Sequence, residues 1–166
     1  MRVLSLDQST RITGWAIFDD NQYVKSGVID LHKIKDTDER SRQMAVEICK
    51  IIENAKPTYV IIEEVQQQSN VSTVIKLARI QGVVIGFCAA HNIELHILMP
   101  TQWRSALGYK QGPKVKREDL KQQSLDFVKT ELGLNIESED ENEACAINAA
   151  AYRIFEWEFE DDIWDI

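Results

Sequence analysis

The segment RVLSLDQSTRITGWAIF, residues 2–18, predicts two strands with a carboxylate at the turn between them. Arg2–Asp7 alternates in polarity and ends on an acid, which is typical of a half-buried strand. Gly14–Phe18 is a second apolar run, and Tyr23–Ile29 can form a third strand after the turn residues 19–21. The opening of the chain is therefore predicted to be an antiparallel meander of three strands.

The rest of the chain mixes helical and strand patterns. A helix capped by Thr37 or Asp38 is predicted to reach about Ala55. The later predicted elements are, in order, a strand at Tyr59–Val65, a helix at Asn70–Ala90, a strand at Ile93–Leu98, a helical turn over 101–108, and helices at Glu118–Leu132 and Asp140–Trp157. This order predicts one α/β domain over residues 1–166, with a mixed five-stranded sheet flanked by helices.

The predicted helix at Asn70–Ala90 has apolar residues around much of its surface. A helix that is apolar on all sides is usually buried. We therefore interpret it as a core helix, with a dimer surface as the alternative.

Composition points to an ordinary globular protein of the cytoplasm. Of the 166 residues, 44% are hydrophobic and 28% are charged, and no run approaches the roughly 18 apolar residues of a membrane span. The stretch Met1–Thr10 meets an acid at Asp7 and has no long apolar run, so we expect no secretory signal. The three cysteines, Cys49, Cys88 and Cys145, are far apart and odd in number, so we expect reduced thiols.

The charge of the chain is unevenly distributed. The net charge of −8 is unlike that of a simple nucleic-acid binder. Residues 101–130 nevertheless hold seven Lys or Arg against three Asp or Glu, whereas residues 131–166 hold twelve Asp or Glu against one Arg. Two solvated faces of opposite sign would explain this pattern, and so would a phosphate-binding segment followed by an acidic one.

Carboxylates stand in three places where a core pattern would not put them. Asp7 ends the first strand, Glu63 and Glu64 interrupt a buried strand, and Asp140 and Glu143 share one face of the last helix. Buried carboxylates are costly unless they are paired or bind a metal, and hard oxygen ligands suit Mg²⁺ or Mn²⁺. The combination predicts a metal-dependent site that acts on phosphodiesters.

Each acid also has a purely structural explanation. Asp7 could be a turn residue, and one of Glu63 and Glu64 must face away from the other because strand neighbours point to opposite faces. Asp140 could cap its helix with Glu143 as the capping-box partner.

Three motifs together resemble RuvC-type Holliday junction resolvases. They are LDQSTRITGWAIF at 6–18, VIIEEVQ at 60–66 and DENEACAINAAAY at 140–152, and they occur in the family's order and spacing across nearly the whole chain. In the first motif Asp7, Arg11, Thr13 and Gly14 match, and Trp15 replaces a tyrosine. The resemblance implies a ribonuclease H-like fold, a homodimer, Mg²⁺ or Mn²⁺, and paired nicks in four-way DNA junctions.

The resemblance assigns the catalytic and metal-binding positions to Asp7, Glu63, Asp140 and Glu143, with Glu64 as the neighbour of Glu63. It also implies basic residues between the fifth strand and the last acids. The residues here that we expect to contact DNA phosphates are Arg104, Lys110, Lys114, Lys116 and Arg117.

Two positions depart from the family pattern. Glu143 stands where the bacterial enzymes carry Asp, and Gln66 stands where family members often carry an aromatic residue that packs on junction bases. The second departure favours a looser preference among branched DNAs, as in phage-borne relatives.

The mechanism implied is hydrolysis of a phosphodiester by water activated on a metal ion. On this hypothesis Asp7 bridges two ions, Glu63 and Asp140 each complete one ion site, and Glu143 binds an ion or orients water. Lys116 is the expected stabiliser of the charge that develops on phosphate. The acidic tail, residues 158–166, would limit nonspecific binding by repelling DNA.

Three other classes of protein fit parts of the pattern. A YqgF-like nuclease acting on RNA shares the fold and acid layout, and a binding module without catalysis would need only the fold. Actin-like ATPases and sugar kinases also open with an acid and a phosphate-binding turn, but they need two such domains and glycine-rich loops. Only seven glycines and no second motif of that kind occur here.

Overall fold

The fold is known from a computed structural model, which describes residues 1–67 and 70–157. Its strands are β1 (Arg2–Asp7), β2 (Ile12–Asp19), β3 (Gln22–Asp30), β4 (Tyr59–Glu63) and β5 (Glu94–Leu98). Its helices are α1 (Thr37–Ala55), α2 (Val71–Ala90), α3 (Pro100–Ala106), α4 (Arg117–Glu131) and α5 (Glu139–Phe155). The acidic tail at 158–166 lies outside the described residues.

The five strands form one mixed sheet in the order β3-β2-β1-β4-β5. β1 pairs antiparallel with β2, and β2 with β3, while β1, β4 and β5 run parallel. This confirms the predicted meander and the predicted mixed sheet. β4 ends at Glu63 rather than at Val65, so Glu63 is the last residue of its strand.

Side chains alternate between the two faces of the sheet and build two cores. Val3 and Ile61 pack with α5 and α3 on one face, whereas Leu4 and Ile62 pack with α1 and α2 on the other. On the α5 face, Asn148 is fully buried and its amide donates to the carbonyl oxygens of Val3 and Ala16 at 3.1 and 3.2 Å. These bonds fix α5 against β1 and β2.

The interpretation of α2 as a core helix was wrong. Its buried residues are confined to one stripe, formed by Ile80, Gln81, Val84 and Cys88. That stripe faces α1 and β5, which leaves the opposite side in solvent, with Val71 67% exposed. The physical reason is position: α2 lies on the outside of the sheet and has neighbours on one side only.

With 20 residues and a mean hydropathy of 1.5, α2 is long and apolar enough to cross a membrane. It is the one helix with this property in the described parts of the chain. The helix carries Lys76 and Arg79, and it packs on α1 and β5. No bundle of such helices occurs within residues 1–67 and 70–157.

Candidate active site

Asp7 and Glu63 meet because their strands run parallel and end at the same edge of the sheet. β1 and β4 are paired in register from Val3 opposite Tyr59 to Leu6 opposite Ile62. The next residue is Asp7 in β1 and Glu63 in β4, so the two carboxylates stand side by side at the carboxyl edge of the sheet. The strand geometry thus brings together two of the four predicted acids.

Asp140 and Glu143 come from the first turns of α5, which begins over the same edge. The cap of α5 is Ser138, whose hydroxyl accepts a hydrogen bond from the Glu141 backbone N–H at 3.3 Å. The alternative in which Asp140 caps the helix is therefore wrong, because the helix starts before it. Both carboxylates are left free to line the pocket next to Asp7 and Glu63.

Gly14 allows α5 to approach β2 this closely. A Cβ atom on Gly14 would lie 1.9 Å from the backbone oxygen of Asp140 and 2.3 Å from its carbonyl carbon. No side chain fits at such distances, so only glycine permits this contact between β2 and the start of α5. The family motif already indicated a glycine at position 14. The physical reason, the contact between Gly14 and the Asp140 backbone, is seen only in the structure.

The bend between β1 and β2 is held rigidly beside the acids. The Thr13 hydroxyl accepts from the Ser9 backbone N–H and donates to the Ser9 carbonyl oxygen, both at 3.0 Å. From α1, the buried Arg40 donates to the carbonyl oxygen of Thr10 at 3.0 Å. Residues 8–11, which follow Asp7, are thus held in place, and they line the same pocket as the acids.

The four predicted acids share one open pocket of about 680 Å³. Its other lining residues are Gln8, Ser9, Thr10, Arg11, Arg40, Glu64, Val65, Gln66, Thr73, Leu77, Arg104, Arg117 and Leu120. The pocket is rich in charge of both signs, which suits a ligand that carries a cation and an anion together.

Burial raises the pKa values of the four carboxylates, and their crowding adds to the rise at Asp7, Glu63 and Glu143. Burial raises the pKa of Asp7 well above its usual range, and the charges of Glu143, Glu63 and Asp140 raise it further. Burial also raises the pKa values of Glu143, Glu63 and Asp140. Arg104 lowers the pKa values of Glu63 and Glu143, and Lys121 lowers those of Asp140 and Glu143, but neither cation reverses the rise.

Glu63 and Glu64 have different surroundings. The Oε2 atom of Glu63 accepts a hydrogen bond from the Trp103 indole N–H at 2.6 Å and lies 4.0 Å from Nη2 of Arg104. The Glu64 carboxylate also lines the pocket, but its Oε1 accepts from the Val65 backbone N–H at 3.0 Å and from the buried Gln81 amide at 3.1 Å. Glu63 is the one whose charge raises the pKa of Asp7.

The predicted basic residues divide into two groups. Arg104 and Arg117 line the pocket. Lys110, Lys114 and Lys116 are exposed on the segment that leads into α4 and are not among the lining residues. Lys116 is therefore not placed next to the carboxylates.

Sequence reasoning missed three residues that shape the site. Trp103 looked like an ordinary aromatic residue of a short helix, although it bonds Glu63. Lys121 pairs with Glu139 at the start of α5. It lies one helical turn after Arg117 on α4, and this spacing could have identified it as a second cation on the same helix face. Arg11 was noted only as part of a motif, yet it lines the pocket.

The donor set suits a hard divalent cation. Within residues 1–67 and 70–157, no group of three His, Cys, Asp or Glu side chains is already arranged to hold a metal ion. Asp7, Glu63, Asp140 and Glu143 nevertheless line one pocket together with Glu64. Burial raises the pKa of each of the first four, and repulsion from another acid of the set adds to the rise at Asp7, Glu63 and Glu143. A divalent cation with oxygen ligands would remove that repulsion.

Comparison with known proteins gives a consistent result. A family model described as crossover junction endodeoxyribonuclease RuvC matches residues 3–151. The RuvC of Caldicellulosiruptor saccharolyticus is 28% identical over 141 residues, which cover 81% of this chain and 81% of that protein. The RuvC of Fusobacterium nucleatum is 32% identical over 130 residues, covering 75% of this chain and 68% of that protein.

Among solved structures, RuvC of Thermus thermophilus in complex with a Holliday junction substrate superposes with a TM-score of 0.76. That match has 16% sequence identity and covers 94% of this chain and 95% of the other. It confirms the predicted ribonuclease H-like fold. Proteins of the matched family are divalent-metal nucleases. Since the family model spans most of the sequence, this chain belongs to the RuvC family of crossover junction endodeoxyribonucleases.

Proposed function

We propose that this chain is a metal-dependent endonuclease that resolves four-way DNA junctions by hydrolysing phosphodiester bonds. The observation that carries the proposal is the pocket in which four carboxylates, Asp7, Glu63, Asp140 and Glu143, meet beside four arginines, Arg11, Arg40, Arg104 and Arg117. Acids alone would repel a phosphate, and arginines alone would bind it without cleaving it. The two together suit a site that holds a cation and a phosphodiester.

Asp7, Glu63, Asp140 and Glu143 are the residues that would hold Mg²⁺ or Mn²⁺. When bound, the metal would lower the pKa of water and stabilise the attacking and leaving oxygens of the phosphodiester. Asp7 has the central place, because the charge of each of the other three acids raises its pKa. Glu143 has a longer side chain than the Asp of the bacterial enzymes, but it reaches the same pocket.

Arg104 and Arg117 are placed to bind the phosphate inside the pocket. A guanidinium presents several N–H donors in one plane and matches two phosphate oxygens. Arg104 lies 4.0 Å from Glu63, so a phosphate bound by Arg104 would also face the carboxylates. We assign to these arginines the stabilising role first expected of Lys116.

The substrate is tested with a panel of labelled nucleic acids. The protein is incubated with a four-way junction, a linear duplex and a structured RNA, each with Mg²⁺, Mn²⁺ or EDTA, and Asp7→Asn is the control. We expect paired nicks in the junction with either metal, and none with EDTA or in the control. Cleavage of RNA alone would favour the YqgF-like alternative. In a parallel incubation with ATP, hydrolysis of ATP without nicking would favour the kinase-like alternative. Junction binding without cleavage in either metal would favour the binding module.

Lys110, Lys114 and Lys116 would contact phosphates of the junction arms outside the pocket. Each phosphate contact releases counterions and adds about 0.9 to the slope of log affinity against log salt. We therefore expect Lys114→Ala to reduce that slope by about one unit for junction DNA. Fluorescence anisotropy across a salt series measures it. Lys129→Ala removes the same charge from the far end of α4, and an equal change in both variants would contradict the assignment.

We infer that the active form is a homodimer, since a four-way junction must be nicked on two strands. The exposed apolar residues of α2 supply a surface for it: Val71, Ile75, Val83 and Ile85. Burial of such residues is worth about 25 cal/mol for each Å² removed from water.

The dimer surface is tested by one substitution at two positions. Val83 on α2 and Val46 on α1 are equally exposed, at 42% and 44%. We expect Val83→Asp to give a monomer in sedimentation equilibrium, because it places a charge in the interface, and Val46→Asp to stay a dimer. A dimer in both variants would show that α2 is not the contact surface.

The site of action that we infer is the cytoplasm of a bacterium or of a phage-infected host. The curated relatives are bacterial enzymes that act on DNA, and the three cysteines are free thiols. Residues 1–166 would act there as one nuclease domain.

A further inference from the structure

Trp103 combines complete burial with a polar contact to the proposed active site. Its side chain is fully buried on α3, with the Tyr109 ring packed edge-on at 5.6 Å between centroids. Its one polar group, the indole N–H, donates to Oε2 of Glu63 at 2.6 Å. A buried indole N–H needs a hydrogen-bond acceptor, and here that acceptor is a carboxylate of the proposed active site.

The indole bond restrains the part of Glu63 that the backbone leaves free. The strand fixes the Glu63 backbone, since Glu63 pairs with Leu98 in β5 and the Glu64 N–H donates to the Leu98 carbonyl oxygen at 2.9 Å. The side chain has three further rotatable bonds, and one hydrogen bond to a rigid ring removes most of that freedom. Trp103 therefore fixes the orientation of the Glu63 carboxylate.

The donor itself is held in place from three sides. Pro100 begins α3 and is buried, which anchors the turn before Trp103. Arg153 of α5 donates to the Ala106 carbonyl oxygen at 3.3 Å and ties the other end of α3 to the helix that carries Asp140 and Glu143. The Arg104 guanidinium lies 4.9 Å from the Trp103 ring, within the range of a cation–π contact.

We propose that Trp103 is a positioning residue, whose indole N–H holds Oε2 of Glu63 and so fixes the orientation in which this carboxylate would bind the divalent cation. The proposal rests on the proposed function, because it needs Glu63 to be a metal ligand. Partners that orient a ligating carboxylate typically change metal affinity 10- to 100-fold when they are removed. Trp103 would thus control metal binding without touching the substrate.

The first test replaces Trp103 by Phe, which keeps an aromatic ring and deletes the N–H donor. We expect Mn²⁺ to bind about tenfold more weakly in titration calorimetry, and cleavage to require a correspondingly higher Mn²⁺ concentration. Trp15→Phe is the matched control, since Trp15 lies on β2 against Gly27, and it should retain the Mn²⁺ affinity of the wild type.

A double-mutant cycle separates positioning from a general loss of packing. In a Glu63→Gln background, Trp103→Phe should lower the melting temperature but leave Mn²⁺ affinity unchanged, because the oriented carboxylate is already gone. If Trp103→Phe weakens Mn²⁺ binding equally in both backgrounds, its role is structural and the proposal is overturned. Unchanged affinity in the Trp103→Phe single variant overturns it as well.

Two further measurements complete the test. If Trp103→Phe does not fold, benzothienylalanine at position 103 keeps the shape of tryptophan and replaces the N–H by sulfur, and the same tenfold loss is expected. Asp7→Asn tests the proposed function itself: if it leaves Mn²⁺ binding and cleavage intact, the metal site lies elsewhere. If Asp7→Asn abolishes both while the variants at 103 change neither, only the assignment of Trp103 fails.

Discussion

Asp7→Asn is expected to abolish junction cleavage while making the metal-free protein more stable. Loss of a residue that merely orients a metal ligand costs about 10- to 100-fold, so loss of the central ligand should cost more than about 100-fold. The amide keeps the shape of the side chain and can still accept a hydrogen bond. It cannot supply the negative charge that a divalent cation requires.

The gain in stability follows from the direction of the pKa shift. Burial and three neighbouring carboxylates hold the pKa of Asp7 well above its usual range. The folded protein therefore binds a proton at Asp7 more tightly than the unfolded chain does, and this contribution to stability is complete below the ordinary carboxyl pKa. It is lost as pH rises through the raised pKa, and above that pKa the metal-free wild type carries an unrelieved charge at Asp7. The amide introduced by Asp7→Asn carries no charge at any pH.

Thermal unfolding in EDTA, followed at several pH values, measures this effect. We expect the melting temperature of Asp7→Asn to exceed that of the wild type at pH values above the raised pKa of Asp7, and the difference to shrink as the pH falls through that pKa. A stability change of 1 kcal/mol shifts the midpoint by about 2–4 °C in a protein of this size. Added Mn²⁺ should stabilise the wild type and remove the advantage of the variant.

Asp126→Asn is the matched control, because Asp126 is exposed on α4 and bonds only Gln122 among the described contacts of its side chain. It should change neither cleavage nor the melting temperature appreciably. Cleavage by Asp7→Asn at the wild-type rate would show that Asp7 is not a metal ligand. A melting temperature in EDTA that equals the wild-type value at every pH of the series would show that the buried charge of Asp7 does not destabilise the fold.

The elements of the fold were predictable because they depend on local patterns. The alternation at Arg2–Asp7 and the apolar run at Tyr59–Glu63 fix two strands, and their parallel pairing places Asp7 beside Glu63. The exposure of α2 was not predictable, since an apolar helix looks the same whether a core or another molecule covers it. Burial depends on neighbours far away in the chain.

The site was predictable only as a set of acids. The spacing of Asp140 and Glu143 indicated a shared helix face, but nothing in the local sequence shows that Trp103 donates to Glu63, 40 residues earlier. The choice of Arg104 and Arg117 over Lys116 likewise depends on where α3 and α4 lie relative to the sheet. Contacts between distant elements decide these roles, and a single sequence does not record them.

Gly14→Ala is expected to disable the site by displacing α5. The new methyl group would stand 1.9 Å from the Asp140 oxygen and 2.9 Å from the Glu141 nitrogen, and all the atoms it meets are backbone. Backbone cannot rotate out of the way as a flexible side chain can, so the start of α5 must move outward. Asp140 and Glu143 would move with it, away from Asp7 and Glu63.

Overpacking of this kind costs about 1–3 kcal/mol, and a displacement of about 1 Å at a site costs about 100-fold in rate. We therefore expect Gly14→Ala to lower the melting temperature, to weaken Mn²⁺ binding and to reduce junction cleavage by about 100-fold or more. Calorimetry with Mn²⁺ and a single-turnover cleavage assay measure the last two effects independently of each other.

Gly133→Ala distinguishes displacement of the site from simple loss of stability. Gly133 has a φ of +68° after α4, and a Cβ there would meet no atom within 4 Å, so the substitution adds backbone strain without a clash. Such strain costs about 1–2 kcal/mol. At a temperature where both variants are folded, Gly133→Ala should cleave like the wild type and Gly14→Ala should not. Equal losses in the two variants would mean that the contact between Gly14 and Asp140 supports the fold rather than the position of the carboxylates.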